Sequence, residues 1–114
     1  VGAADDAFIM GAAKATPKSG YLDVIGHGTP VTGEGIMLAD GSIVGGKELA
    51  KIIAKNPEFT GQGVRLLTCY GGACSTSVGR VVARELGVKV LAPKGKIFTD
   101  AYGGLFLPKG WVQF

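Results

Sequence analysis

The sequence predicts an α/β domain built on a mainly parallel sheet, and three observations carry that expectation. Residues 21–25, 64–68 and 88–92 are short apolar, β-branched runs with the length and composition of buried strands. Between them lie stretches with helical periodicity, residues 47–55 and residues 78–86. A strand, helix, strand, helix, strand order brings the three strands side by side in parallel through right-handed crossovers. At 114 residues there is room for one core and therefore one domain, residues 1–114. The expected architecture is a small three-layer domain with a β-hairpin region at its C-terminal end.

Each element follows from its residues. Residues 3–14 have a helical pattern, with Asp5 and Asp6 in the first turn, where they favour the helix dipole. Thr16-Pro17-Lys18-Ser19-Gly20 is a turn, and the strand at 21–25 follows it. The glycine-rich excursion 29–46 predicts a hairpin of residues 35–39 and 42–44 around Asp40-Gly41, a strong two-residue turn signal. In the helix 47–55, Leu49, Ile52 and Ile53 form the expected buried stripe, and Asn56-Pro57 ends it. Ser75, Thr76 or Ser77 caps the next helix, with Val78, Val81, Val82 and Leu86 inward and Gly87 at its C′ position. Pro93 stops the third strand, and residues 97–101, 105–107 and 111–114 read as short strands around Gly103-Gly104 and Pro108.

Composition excludes several classes. A hydrophobic content of 46% against 18% charged residues is unlike a disordered chain, which lacks the apolar surface to offset its entropy. No apolar run approaches the roughly 18–20 residues that span a bilayer. The twelve Lys and Arg give a net charge of +3 and are scattered, with Lys47, Lys51 and Lys55 forming a solvated helix face. That distribution lacks the density of a nucleic-acid footprint. No phosphate-cradling glycine motif follows a strand, so no nucleotide cofactor is expected. The start at Val1, without a basic n-region and cleavage site, reads as a domain excised from a longer chain.

Two reactive side chains stand out. The strand 21–25 delivers His27, the only histidine, and Gly28 follows it; the strand 64–68 delivers Cys69, with Gly71-Gly72 close behind. The carboxyl ends of strands in an open parallel sheet are where ligands and reacting groups collect. Taken singly, His27 is a loop histidine and Cys69 a small buried hydrophobe. Taken together they suit a nucleophile and its base. A carbonyl attacked by thiolate develops an oxyanion that needs two N–H donors; the amides of Gly28 and Cys69 are the candidates. Thr29, Tyr70 and Gly71 flank the same mouth as candidate substrate contacts, and Asp23, Asp100 or Thr29 could orient the imidazole. Cys69 and Cys74, five apart, could instead bridge a tight loop or join His27 on a metal. Without a C-x-x-C pair or a second histidine the zinc signal is weak, and no metal is expected.

Four segments carry a family resemblance: Gly26-His27-Gly28-Thr29-Pro30, Glu48-Leu49-Ala50-Lys51-Ile52-Ile53, Val64-Arg65-Leu66-Leu67-Thr68-Cys69, and Val82-Ala83-Arg84-Glu85-Leu86-Gly87-Val88-Lys89-Val90-Leu91-Ala92-Pro93. Their order resembles the caspase-like (clan CD) cysteine peptidases. It is closer to the caspase-like domains at the C-termini of bacterial polymorphic toxins, of the Rhs type and the large repeat type. The resemblance implies a caspase-like fold and a cysteine-dependent hydrolase, protease or amidase-type, serving as a toxin effector in bacterial competition. It implies catalysis by His27 and Cys69 without a cofactor, a protein or peptide substrate, and a cognate immunity protein. It also implies no nucleic-acid or membrane partner, delivery as part of a larger secreted toxin, and action in the target-cell cytoplasm. The alternative is a non-catalytic toxin module that binds an immunity protein or packs on the parent toxin.

Overall fold

A computed structural model describes residues 7–38 and 40–114. Its centre is a four-stranded sheet of β1 (Tyr21–Ile25), β5 (Gly63–Leu67), β6 (Val90–Pro93) and β9 (Trp111–Gln113), in the order β1-β5-β6-β9. The first three strands are parallel, in register from Tyr21↔Gly63 to Ile25↔Leu67, and β9 runs antiparallel to β6. The mixed α/β class with a mainly parallel sheet is thus as the sequence predicts. Helices α2 (Gly46–Lys55) and α3 (Val78–Leu86) provide the connections after β1 and β5.

Strand alternation divides the core in two. Val64, Leu66, Val90 and Ala92 face one way and pack with Leu49, Ile53, Val78 and Val82 of α2 and α3. Leu67 faces the other way, with Ala12, Ala15 and Ile97 and the partly buried Phe8, Ile25 and Trp111. That second face is covered by α1 (Ala7–Ala13) and the C-terminal segment. Val64, Leu66 and Leu67 are fully buried, each contributing roughly 1.5–3 kcal/mol relative to exposure. Arg65 shares the Leu67 face and is only 7% exposed; its Nε and Nη2 donate to Asp23, directly opposite on β1, at 2.7 and 2.6 Å.

Several local expectations need correction. The buried stripe of α2 is Gly46, Leu49, Ala50 and Ile53, an i, i+3, i+4, i+7 set, and it leaves Ile52 39% exposed. Ser77 is the N-cap of α3, but its hydroxyl makes no capping bond; it accepts from the Cys74 amide at 2.9 Å and donates to the Thr32 carbonyl. Gly87 ends α3 in the left-handed conformation, φ 67°, as its C′ position requires. β6 runs through Pro93 because that residue lies beyond the β5 pairing, which involves only Val90 and Leu91, so no β5 ladder bond is lost there.

The excursion after β1 forms a second sheet, β2 (His27–Gly28), β3 (Gly35–Met37) and β4 (Ile43–Gly45), all antiparallel. Ala39, expected at a strand end, and Asp5 and Asp6, expected in the first helical turn, lie outside the described residues. β7 (Phe98–Thr99) and β8 (Leu105–Phe106) pair antiparallel by themselves, and β9 joins the main sheet.

Candidate active site

His27 and Cys69 arrive from neighbouring parallel strands. The Gly26 amide donates to Leu67 at 3.4 Å, continuing the β1/β5 ladder one step. The chain then turns away, and His27 pairs with Met37 and Gly28 with Ile36 in the second sheet. The sequence reads His27 as a strand-end loop residue; the structure breaks the strand at Gly26 and holds His27 in β2. Cys69 lies two residues past the end of β5. Both side chains line one cavity of about 500 Å³, together with Phe8 and Gly11 of α1 and residues 97–101. The Phe8 ring sits 5.2 Å from the imidazole at 41°, and the Cys69 thiol donates to the Ile97 carbonyl at 3.7 Å. These two contacts fix each reactive group against a wall of the cavity.

The loop after His27 is fastened to the loop after Cys69. A side chain at Gly28 would strike the Cys69 carbonyl, and one at Gly33, at φ +58°, the Tyr70 carbonyl. Val78 N donates to Gly33 O at 2.8 Å, and Ser77 ties down Thr32. Tyr70 itself has φ 61°, an uncommon conformation for a residue with a side chain, and its amide donates to Gly95 O at 2.7 Å.

The amides that follow Cys69 are committed: Tyr70 to Gly95, Gly71 to Thr68 and Gly72 to Pro93. Gly28 differs. Thr29 N donates to Gly35 O at 3.0 Å, which makes Thr29/Gly35 a hydrogen-bonded pair of the β2/β3 ladder. Because such pairs alternate, Gly28/Ile36 is a non-hydrogen-bonded pair, and the Gly28 amide is directed away from β3.

The proposed substrate contacts fall elsewhere. Thr29, Tyr70 and Gly71 do not line the cavity: Thr29 Oγ1 accepts from Gly35 N at 3.1 Å, and Gly71 packs on Thr68 and Ala92. Each orienting candidate has other work. Asp23 holds Arg65, Thr29 holds its own loop, and Asp100 Oδ1 accepts from Tyr102 N and Gly104 N, both at 2.8 Å. Those amides, Gly104 foremost, keep the Asp100 carboxyl below the usual carboxylate range. The side chains that the sequence reading does not anticipate are the walls, Phe8, Met10, Ile97 and Phe98.

Cys69 and Cys74 are both free thiols, so the bridge between them is absent. Among the described residues no three His, Cys, Asp or Glu side chains gather as a metal site. Cys74 is exposed, and hydrogen bonding with the Ser77 and then the Thr76 hydroxyl holds its thiol pKa below the ordinary value. Thr68 is fully buried, and its Oγ1 has no hydrogen-bond partner among the described residues. No described helix is long and apolar enough to cross a membrane.

The chain belongs to the family described as Domain of unknown function (DUF8616), whose model matches residues 2–108. No curated protein and no solved structure matches it.

Proposed function

We propose that this member of the family is a cysteine-dependent hydrolase, protease or amidase-type, that acts as a toxin effector through His27 and Cys69. The observation that supports this reading is the shared cavity: the only histidine and a half-buried free thiol line it, at the carboxyl ends of adjacent parallel strands. His27 takes the thiol proton as sulfur attacks the substrate carbonyl carbon, and the S–C bond forms as the oxygen takes the negative charge. The amides of Gly28 and Cys69 hold that oxyanion. The C–N bond then breaks, and the amine leaves with the proton from the imidazolium. Water, deprotonated by His27, attacks the thioester, releasing the acid and restoring the thiol.

The same reading takes the domain as caspase-like and three-layered with a C-terminal hairpin region. It is consistent with α2 and α3 on one face, and with α1 and the β7/β8 pair on the other. The domain travels in a larger secreted toxin, acts in the target-cell cytoplasm on a protein or peptide, and is restrained by an immunity protein. A non-catalytic module is the second reading. It is favoured by the apolar surface beside the cavity, where Tyr102 is 91% and Phe106 64% exposed.

Expression in bacterial cytosol without a partner protein tests the first reading. Wild type should arrest growth, and folded Cys69→Ala and His27→Ala variants should not. Equal growth of wild type and Cys69→Ala contradicts the effector role and shifts weight to the second reading.

A further inference from the structure

We infer that the cavity beside Cys69 accepts an apolar side chain, aromatic or long aliphatic, from the residue whose carbonyl carbon the thiol attacks. The inference rests on the hydrolase reading and concerns what that hydrolase selects. Phe8, Met10, Ile97 and Phe98 supply the walls, and Ala7 and Gly11 add no polar group or bulk. A volume of about 500 Å³ lies within the roughly 300–1,000 Å³ of small-ligand cavities, room for one large side chain next to the reacting carbonyl. Met10 and Phe98 at its edge are 50% and 49% exposed, apolar surface that a bound chain would cover.

The charged groups at the cavity are exposed, and each bonds its own neighbouring backbone. Of the described lining residues, only Lys14 and Asp100 carry charge besides the titratable His27 and Cys69. The Asp100 carboxylate turns back to the Tyr102 and Gly104 amides, and Lys14 Nζ donates to the Ala101 carbonyl at 3.2 Å. The buried arginine of the same sheet face, Arg65, is held by Asp23 and by the Thr16 carbonyl at 3.0 Å, and it does not line the cavity. An acidic or basic side chain entering here would lose water against apolar walls and meet only the exposed ammonium of Lys14 or the exposed carboxylate of Asp100, whose attraction water screens. An apolar side chain loses nothing by the same transfer. Selectivity therefore follows from desolvation against apolar walls rather than from an ion pair.

The test uses the 114-residue protein with Cys74→Ser, so that Cys69 is its single thiol. Four acetyl-dipeptide acyloxymethyl ketones carry Phe, Leu, Asp or Lys next to the ketone. In each, the Cys69 sulfur bonds to the methylene carbon as the C–O bond to the carboxylate breaks, and intact mass reads the thioether. The Phe and Leu probes should label at least about tenfold faster than the Asp and Lys probes, the low end of discrimination by an apolar pocket. Phe98→Ala should narrow that gap, each ketone rate being divided by the iodoacetamide alkylation rate of Cys69 in the same variant. Equal or faster labelling by the Asp or Lys probe, or an unchanged gap in Phe98→Ala, overturns the pocket assignment and leaves the hydrolase reading standing. Labelling by iodoacetamide but by none of the four ketones overturns both.

Discussion

Gly28 is where the two halves of the site touch, so Gly28→Ala is an informative perturbation. A methyl on Gly28 would point at the carbonyl of Cys69 itself, well inside the 3.0 Å that real Cβ contacts respect, with Thr68 Oγ1 a further 3.1 Å neighbour. The obstruction is backbone on both sides, so no side chain can rotate aside. Either β2 or the Cys69 loop must shift by about 1 Å to restore the 3.0 Å limit. Overpacking of this kind costs about 1–3 kcal/mol of stability. A shift of that size between a nucleophile and its base lowers the rate by about 10²-fold, or about 2.7 kcal/mol in the barrier. Urea denaturation at constant m reads the first quantity. The rate of Cys69 thioether formation with the Phe acyloxymethyl ketone, in the Cys74→Ser background, reads the second. Gly45→Ala is the control, since its nearest neighbour would be Glu34 O at 3.8 Å. If Gly28→Ala matches Gly45→Ala in both midpoint and rate, the contact between the His27 and Cys69 segments does not set the geometry of the site.

Three further outcomes follow from single observations. Asp23→Ala leaves the guanidinium of Arg65 buried with only the Thr16 carbonyl and should cost about 3 kcal/mol in denaturation; a cost under about 1 kcal/mol would mean the pair is solvated. Thr68→Val removes a buried hydroxyl that has no partner among the described residues and should stabilise by about 1 kcal/mol, whereas destabilisation would reveal a bond to the hydroxyl. Asp100 has its carboxyl held low in the folded state, so its stabilising effect is present above the unfolded value, about 3.9, and is lost as pH falls through the folded one. Asp100→Asn should therefore be less stable than wild type at pH 7, with the difference shrinking below pH 4; a difference independent of pH contradicts the role assigned to the carboxylate.

The parallel centre is legible in the sequence because its strands are covered on both faces and so appear as continuous apolar runs. The neighbouring positions of β1 and β5 follow from the helix between them. Other features depend on contacts that leave no local pattern. Phe8 and Ile97 reach the cavity from segments about ninety residues apart, and nothing in either segment marks it as a wall. The break at Gly26 is invisible because 21–28 reads as one strand and its turn. Ile52 is misread because helical spacing allows it at the edge of the stripe, and only packing against the sheet and α3 selects Gly46, Leu49, Ala50 and Ile53. Thr29 and Asp100 are candidates from residue type alone, and the sequence does not show that each also holds its own loop.

Activation of Cys69 by His27 is read most directly from the iodoacetamide alkylation rate of Cys69 at pH 7, in Cys74→Ser protein with His27 intact and with His27→Ala, both verified as folded. The thiolate is the reacting species, and an adjacent base raises its availability. Replacing His27 should slow alkylation at least about tenfold, within the range of a positioned base. Equal rates in the two proteins would contradict it, leaving Cys69 as a packing residue beside an unrelated histidine.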